Sequence, residues 1–205
     1  MKLLSAVCSD RGIKKKINQD SLLVRSAMTK EGEILLAAVC DGMGGLEKGE
    51  VASGEVIRAL ARWFEETLPL LLSGEQEKKG VGERRKRAIA KSLESLIQEE
   101  NQMISVYGKE KNLLLGTTVS AVLLIAVWYL IVHVGDSRVY GLTEDVQQLT
   151  KDQTYVQREI DAGRLTKRAG ETTSPGEMYC CSALECRRKL LRNGSREYII
   201  REWDF

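Results

Sequence analysis

The sequence predicts an α+β domain in which two long amphipathic helices cover an antiparallel sheet. Three observations predict it. Short apolar runs rich in Val, Ile and Leu open the chain; two segments with apolar residues every three or four positions follow; strand-like runs then return. No internal repeat interrupts this order, and 205 residues with 43% hydrophobic content are enough to bury one substantial core.

The elements can be justified in turn. "LLSAVCS" (3–9) reads as a first strand, followed by the polar loop "DRGIKKKINQD" (10–20). "SLLVRSA" (21–27) and "EILLAAVC" (33–40) read as strands separated by a Lys-Glu-Gly turn. In "GEVASGEVIRALARWFEETLPLLL" (49–72) the period changes, with Val56, Ile57, Leu60, Phe64 and Leu68 on one stripe and an end expected near Pro69. Residues 73–82 form a polar connection. A second helix then carries Ile89, Leu93, Leu96, Ile97, Met103 and Ile104 inward, while its basic run "ERRKRAIAK" (83–91) reads as a solvated face.

Residues 112–135 contain no charge, and "VSAVLLIAVWYLIV" (119–132) is long enough to suggest a membrane span. Its β-branched and aromatic content favours two buried strands joined by a tight turn near 126–128. "SRVYGL" (137–142) and "VQQLT" (146–150) read as further strands. "DQTYVQREIDAG" (152–163) reads as a short helix stopped by glycine.

Charge and cysteines narrow the function. The net charge of +2 gives no reason to expect nucleic acid or an anionic membrane as a partner. The five cysteines have no zinc-site spacing, and His133 is the single histidine. The start "MKLLSAVC" is too short in apolar residues for a lipoprotein signal, so a reducing cytoplasm is expected.

The chemistry concentrates in "AAVCDGMGGLEKG" (37–49), an aspartate and a glycine run behind an apolar strand. A hairpin turn needs fewer glycines. The dinucleotide-binding pattern fails at Glu47, and no Gly-Lys-Ser/Thr closes a phosphate loop. A divalent metal site is a further reading beside a structural turn, with Asp41 as a hard oxygen ligand and a neighbouring carbonyl as another. A second aspartate turn follows in "HVGDSRVYGL" (133–142), where Asp136 could equally form a structural Asx-turn with Arg138 paired nearby.

Taken with "SDRGIKKKINQDSLLV" (9–24), "CDGMGG" (40–45), "GTT" (116–118) and "QLTKDQTYVQREIDAGRLT" (148–166), this sequence resembles the bacterial form of the PPM/PP2C metal-dependent serine/threonine phosphatases. The resemblance covers residues 1–166, read as the N-terminal portion of the phosphatase domain, with 167–205 as a divergent tail. It implies a four-layer α/β/β/α sandwich of antiparallel sheets, incomplete at the C-terminus. It also implies a binuclear Mn²⁺ or Mg²⁺ centre, with a third, weaker ion, hydrolysing phosphoserine and phosphothreonine through an activated water.

Residue by residue, Asp41 matches the carboxylate bridging both metals, and the Gly42 carbonyl matches its neighbour. Asp20 matches a second acidic position that holds metal-bound water, with Gln19 where Glu is more common. Asp136 matches the third-metal position, and Thr118 a supporting hydroxyl. Lys15 stands where the family usually grips substrate phosphate with Arg; it supplies charge but not a planar fork. Met43 stands where eukaryotic members carry a histidine, and His133 is expected in the core rather than as its replacement. The implied partners are phosphorylated Ser/Thr proteins, substrates of a bacterial kinase, with no nucleic acid and no membrane.

The family's later "SDG" and "DN" motifs do not occur in this sequence. The resemblance therefore leaves two expectations open: a cytoplasmic phosphatase, or a catalytically weak phosphatase-like remnant acting as a binding module.

Overall fold

The computed structural model describes residues 2–13, 15–30, 32–44, 48–73, 82–126, 128–166 and 199–204. Its centre is an antiparallel sheet built from β1 (Asp20–Thr29), β2 (Gly32–Gly44), β4 (Val119–Ile125), β5 (Trp128–Val134) and β8 (Ile199–Asp204), in that order. The short β3 (Leu115–Thr117) pairs with the end of β2, and β6 (Tyr140–Leu142) pairs with β7 (Val146–Gln148) in a separate ribbon.

The two-residue period of β2 divides the sheet's labour. Ile34, Leu36, Ala38 and Cys40 belong to the core beneath the helices. The intervening Leu35, Ala37, Val39 and Asp41 therefore occupy the opposite face. Register carries the division outward: Asp20 stands opposite Asp41, Leu22 opposite Val39, and Val39 opposite Ser120. A slip of β2 by one residue would turn Asp41 into the apolar core.

Within the apolar block 113–135, β4 and β5 pair as a largely buried hairpin. Every residue of β5 is buried, Ile125 pairs with Trp128, and Ala126 enters the turn at φ 54°. No helix among the described residues is long and apolar enough to cross a membrane.

Helix α1 (Gly49–Arg62) lays Ala52, Val56, Ala59 and Leu60 on the sheet. It does not end at Pro69. A π-helical turn over Trp63–Thr67 leads straight into α2 (Leu68–Leu72), with Pro69 in its first turn, where a missing N–H costs nothing. Helix α3 (Glu83–Lys111) buries Ile89, Leu93, Ile97 and Ile104 against α1. Asn112, in the left-handed conformation, ends it, and the Leu113 N–H returns to the Gly108 carbonyl at 2.8 Å. Helix α4 (Tyr155–Asp161) is capped by Thr154, whose hydroxyl accepts from the Gln157 N–H.

Three further expectations are corrected. Residues 3–9 form no strand; apart from the Leu3 N–H donated to Glu33 Oε2 at 2.8 Å they run exposed, with Leu4 and Val7 uncovered. Met103 is half exposed rather than core, because it falls off the stripe that faces α1. Lys86 in the basic run is buried, with its ammonium 3.2 Å from Glu83 and 5.9 Å from the Trp128 ring centroid. The tail supplies β8, which pairs with the outer edge of β5 from Trp128 to His133. The cysteine-rich stretch 180–186 and the connection 74–81 lie outside the described residues.

A buried carboxyl between the helices generates a test. Glu100 is 2% exposed, and its Oε2 has no hydrogen-bond partner among the described residues. Burial first, then the negative charges of Glu55 and Glu99, push its carboxyl up to about 7, against the opposing pull of Arg62 and Arg58. Between the unfolded carboxyl's range and that value the unfolded chain releases a proton that the folded one keeps. Folded stability therefore falls as pH rises through this window, by roughly 3 kcal/mol at most. Glu100→Gln should gain stability relative to the native chain between pH 5 and pH 8 in urea titrations, with the difference levelling off above the folded value. A constant difference across that range would show that Glu100 stays charged in the folded chain.

Candidate metal centre

The site forms where β2 passes from one neighbour to the next. Along β2, Ile34 to Val39 pair with β4, and Gly42 to Gly44 pair with β3, in a register that continues without slip past Thr118 opposite Asp41. At that junction one ladder bond is kept: the Thr118 N–H donates to the Asp41 carbonyl at 3.0 Å. The other is replaced. The Asp41 N–H donates to the Thr118 hydroxyl oxygen at 3.0 Å rather than to the backbone, while Thr117 Oγ1 donates to the Asp41 carbonyl at 3.1 Å. Both threonines are fully buried.

Asp20 enters from β1, directly opposite Asp41. Its own N–H is taken by Asn18 Oδ1 at 3.0 Å, and Asn18 Nδ2 donates to Ser9 Oγ at 2.7 Å, so the polar loop ahead of β1 is shaped by side chains. Gln19 holds the next contacts. Its carbonyl accepts from the Gly42 N–H at 3.1 Å and from Ser53 Oγ at 2.6 Å. With its amide nitrogen toward the Gly42 carbonyl (3.3 Å) and its oxygen toward the Gly49 N–H (3.2 Å), it also clamps the glycine loop to the start of α1. Gly42 is buried in this clamp, and a Cβ there would collide with the backbones of Gln19 and Gly49.

The third acid arrives on the turn after β5. Gly135, at φ 117°, exchanges two bonds with Gln153: its N–H donates to Gln153 Oε1 at 3.0 Å, and the Gln153 N–H donates to its carbonyl at 2.8 Å. Arg138 closes the far side with a bidentate pair to Asp152, 2.8 and 2.7 Å, so the nearby pairing expected for this arginine is present. Asp136 sits between these two anchors. His133 is fully buried, as expected of a core histidine. Its Nε2 faces the Lys151 carbonyl at 3.2 Å, which can only accept, so Nε2 carries the proton and Nδ1 accepts from Ser120 Oγ at 2.8 Å. Burial lowers its pKa, in keeping with this neutral ring.

Electrostatics tie the acids together. The Asp41 carboxyl titrates above the ordinary range because it is partly desolvated and because the Asp20 carboxylate stands beside it, within hydrogen-bonding reach. Asp136 adds to the negative field, and Lys15 opposes it. The two side chains repel where the strands bring them together. A hard divalent ion relieves the same strain, so the donor set fits such an ion. Among the described residues no three acidic, histidine or cysteine side chains group closely enough to hold an ion by themselves. The neighbouring Cys40 thiol is pushed up to about 12 by burial and is inert as a ligand.

Comparison with known proteins decides the family. The model for "Protein phosphatase 2C" matches residues 11–176. The chain belongs to the protein phosphatase 2C family. Curated relatives of this family member include the serine/threonine protein phosphatase PstP of Mycobacterium tuberculosis, 34% identical over 164 residues, and the serine/threonine phosphatase stp of Listeria innocua, 33% identical over 162 residues. Both alignments cover 78% of the chain, which spans only 27% of PstP and 58% of the Listeria protein. Among solved structures, the PstP catalytic domain in complex with two manganese ions superposes with a TM-score of 0.64 at 30% identity, covering 96% of this chain and 70% of that one. Staphylococcus aureus Stp1 superposes at 0.71 with 24% identity, over 96% of this chain and 70% of its own, which speaks for the fold. The chain thus has the antiparallel α/β sandwich architecture of this family over about seven-tenths of a catalytic domain.

The structure brings Asp41, Asp20, Gly42 and Asp136 to one end of the sheet, with Lys15 close enough to influence Asp41. Sequence reasoning missed the supporting roles of Asn18, Ser53, Ser137 and Gln153. Ser137 was visible inside the "GDSR" turn, whereas the others carry no local signal.

Gly42→Ala should cost about 3 kcal/mol, because the added methyl meets backbone on two sides and neither can give way. Gly12→Ala is the comparison: Gly12 has positive φ (69°) but open space around it, so its cost should stay near 1 kcal/mol. Urea midpoints of the two variants measure the difference.

Proposed function

We propose that this chain carries the metal-binding half of a protein serine/threonine phosphatase that hydrolyses phosphoserine and phosphothreonine. The observation supporting this reading most directly is the pair of aspartates, Asp20 and Asp41, facing each other across β1 and β2 beside the buried Gly42, with Asp136 and Lys15 acting on Asp41 through their charges. Asp41 and the Gly42 carbonyl would hold Mn²⁺ or Mg²⁺ as a pair, Asp20 would join them, and Asp136 would serve a third, weaker ion. When bound, the ions supply Lewis acidity and activation of water for in-line displacement at phosphorus.

The chain's own residues do the remaining work. Asp20 and Asp41 accept hydrogen bonds from water and orient it at the mouth of the site. The Gln19 clamp keeps the Gly42 carbonyl from turning away. Lys15 attracts the phosphate dianion as a point charge, leaving orientation looser than a bidentate arginine would give. No candidate covalent nucleophile is needed for this route, and the buried Cys40 thiol is unsuited to one. The substrates would be cytoplasmic proteins phosphorylated by a bacterial Ser/Thr kinase, with neither nucleic acid nor membrane required.

One observation favours the second reading, a phosphoprotein-binding module with feeble turnover. The acids among the described residues complete no cage of three, so ion affinity would be modest.

Calorimetric Mn²⁺ titration and phosphate release from a phosphothreonine peptide separate the two. The phosphatase reading expects Mn²⁺ binding, phosphate release abolished by EDTA, and a loss of about 100-fold in both affinity and turnover for Asp41→Asn. Lys15→Met should raise KM more than it lowers kcat. Mn²⁺ and peptide binding without phosphate release would favour the module, and equal Mn²⁺ affinity in Asp41→Asn would remove Asp41 from the site.

A further inference from the structure

Thr118 touches both the Asp41 strand and the Asp136 turn. It sits opposite Asp41 in the β2 ladder and supplies its hydroxyl where a backbone carbonyl would ordinarily receive the Asp41 N–H, at 3.0 Å. The same oxygen lies 3.1 Å from Ser137 Oγ, the residue after Asp136. Its methyl fits against Gly135, the residue before Asp136: a Cβ at Gly135 would stand 2.6 Å from Thr118 Cγ2. The Thr118 side chain is fully buried, while its two partners are less so.

This substitution of hydroxyl for carbonyl has a mechanical consequence. A backbone carbonyl would end the ladder at Asp41. The hydroxyl instead passes the connection on, because it accepts from Asp41 while sharing a proton with Ser137. The far side of the Asp136 turn cannot yield, since Gly135 is bonded to Gln153 and Arg138 to Asp152. Asp41 and Asp136 bear like charge and repel. A link on the near side and two anchors on the far side fix the two segments relative to one another against that repulsion.

We propose that Thr118 and Ser137 are positioning residues that fix the Asp41 backbone relative to the Asp136 turn, and so preset the spacing at which the two carboxylates receive divalent cations. The inference rests on the metal-centre reading above, but the link itself can be tested without metal.

Two measurements on the full chain decide it. In EDTA, ¹⁵N-resolved amide exchange reads the Asp41 N–H directly; calorimetry with Mn²⁺ reads the preset spacing. Thr118→Val should speed Asp41 exchange by about 10-fold relative to an amide in the middle of β4, and weaken Mn²⁺ binding by about 10-fold, the usual cost of losing an outer-shell partner. Thr118→Ser, which keeps the hydroxyl, should stay within about 2-fold on both. Ser137→Ala should weaken Mn²⁺ binding in the same direction, and the double variant should lose no more than Thr118→Val alone, because both cut one link. If Thr118→Val does not fold, Ser137→Ala and Thr118→Ser still decide the matter. The proposal is overturned if Thr118→Val retains the native Mn²⁺ affinity, if Thr118→Ser is as impaired as the valine variant, or if Ser137→Ala leaves Mn²⁺ affinity unchanged. A native chain that binds no Mn²⁺ would sink the metal-centre reading, and unchanged Asp41 exchange in Thr118→Val would separately sink the link.

Discussion

Two carboxylates facing one another across an antiparallel strand pair are a poor choice for stability. Directly opposed like charges destabilise a sheet, and Asp20 opposite Asp41 is such a pair, with Asp136 adding to the field. Everything around the pair keeps it from relaxing. The register of β2 cannot slip by one residue without carrying Asp41 into the core, and the core face of β2 is committed to Ile34, Leu36, Ala38 and Cys40. Gln19 and Ser53 lock the loop before β1 to α1 and the glycine loop. The helical layer thus stabilises a sheet whose other face bears the chemistry.

This arrangement explains why Gly42 is a glycine for reasons beyond turn formation. The strand, the approaching loop and the first turn of α1 converge there so closely that a methyl has no room. That closeness lets a backbone carbonyl stand beside a carboxylate as a ligand candidate, and the neutral Gln19 amide holds it without adding charge. Stability is given up locally at a site of this kind and recovered from the helix–sheet core.

Much of this was legible in the sequence. Asp41 and its glycines stood out because no turn or nucleotide loop uses that pattern, and the uncharged block 113–135 read as a hairpin because β-branched residues dominate it. What escaped depends on tertiary partners. The run at 3–9 has strand composition, but a strand exists only where a neighbour completes its ladder, and among the described residues it finds none. Pro69 looked like a stop, yet a π-helical turn ahead of it moved the proline to a helix start. Lys86 looked solvated within its basic run; its burial follows from where α3 meets Trp128. The Thr118–Ser137 contact joins motifs whose proximity only the register reveals.

The central claim is that the Asp20–Asp41 pair is held in a strained state that a divalent cation relieves. Thermal unfolding of the native chain and of Asp41→Asn at pH 8, each in EDTA and in Mn²⁺, tests it most directly. The account predicts a crossover: the asparagine variant is the more stable in EDTA, because a repulsive charge is gone, and the native chain is the more stable in Mn²⁺, because it alone gains from binding. A native chain more stable than the variant in EDTA, with no added gain from Mn²⁺, would contradict it.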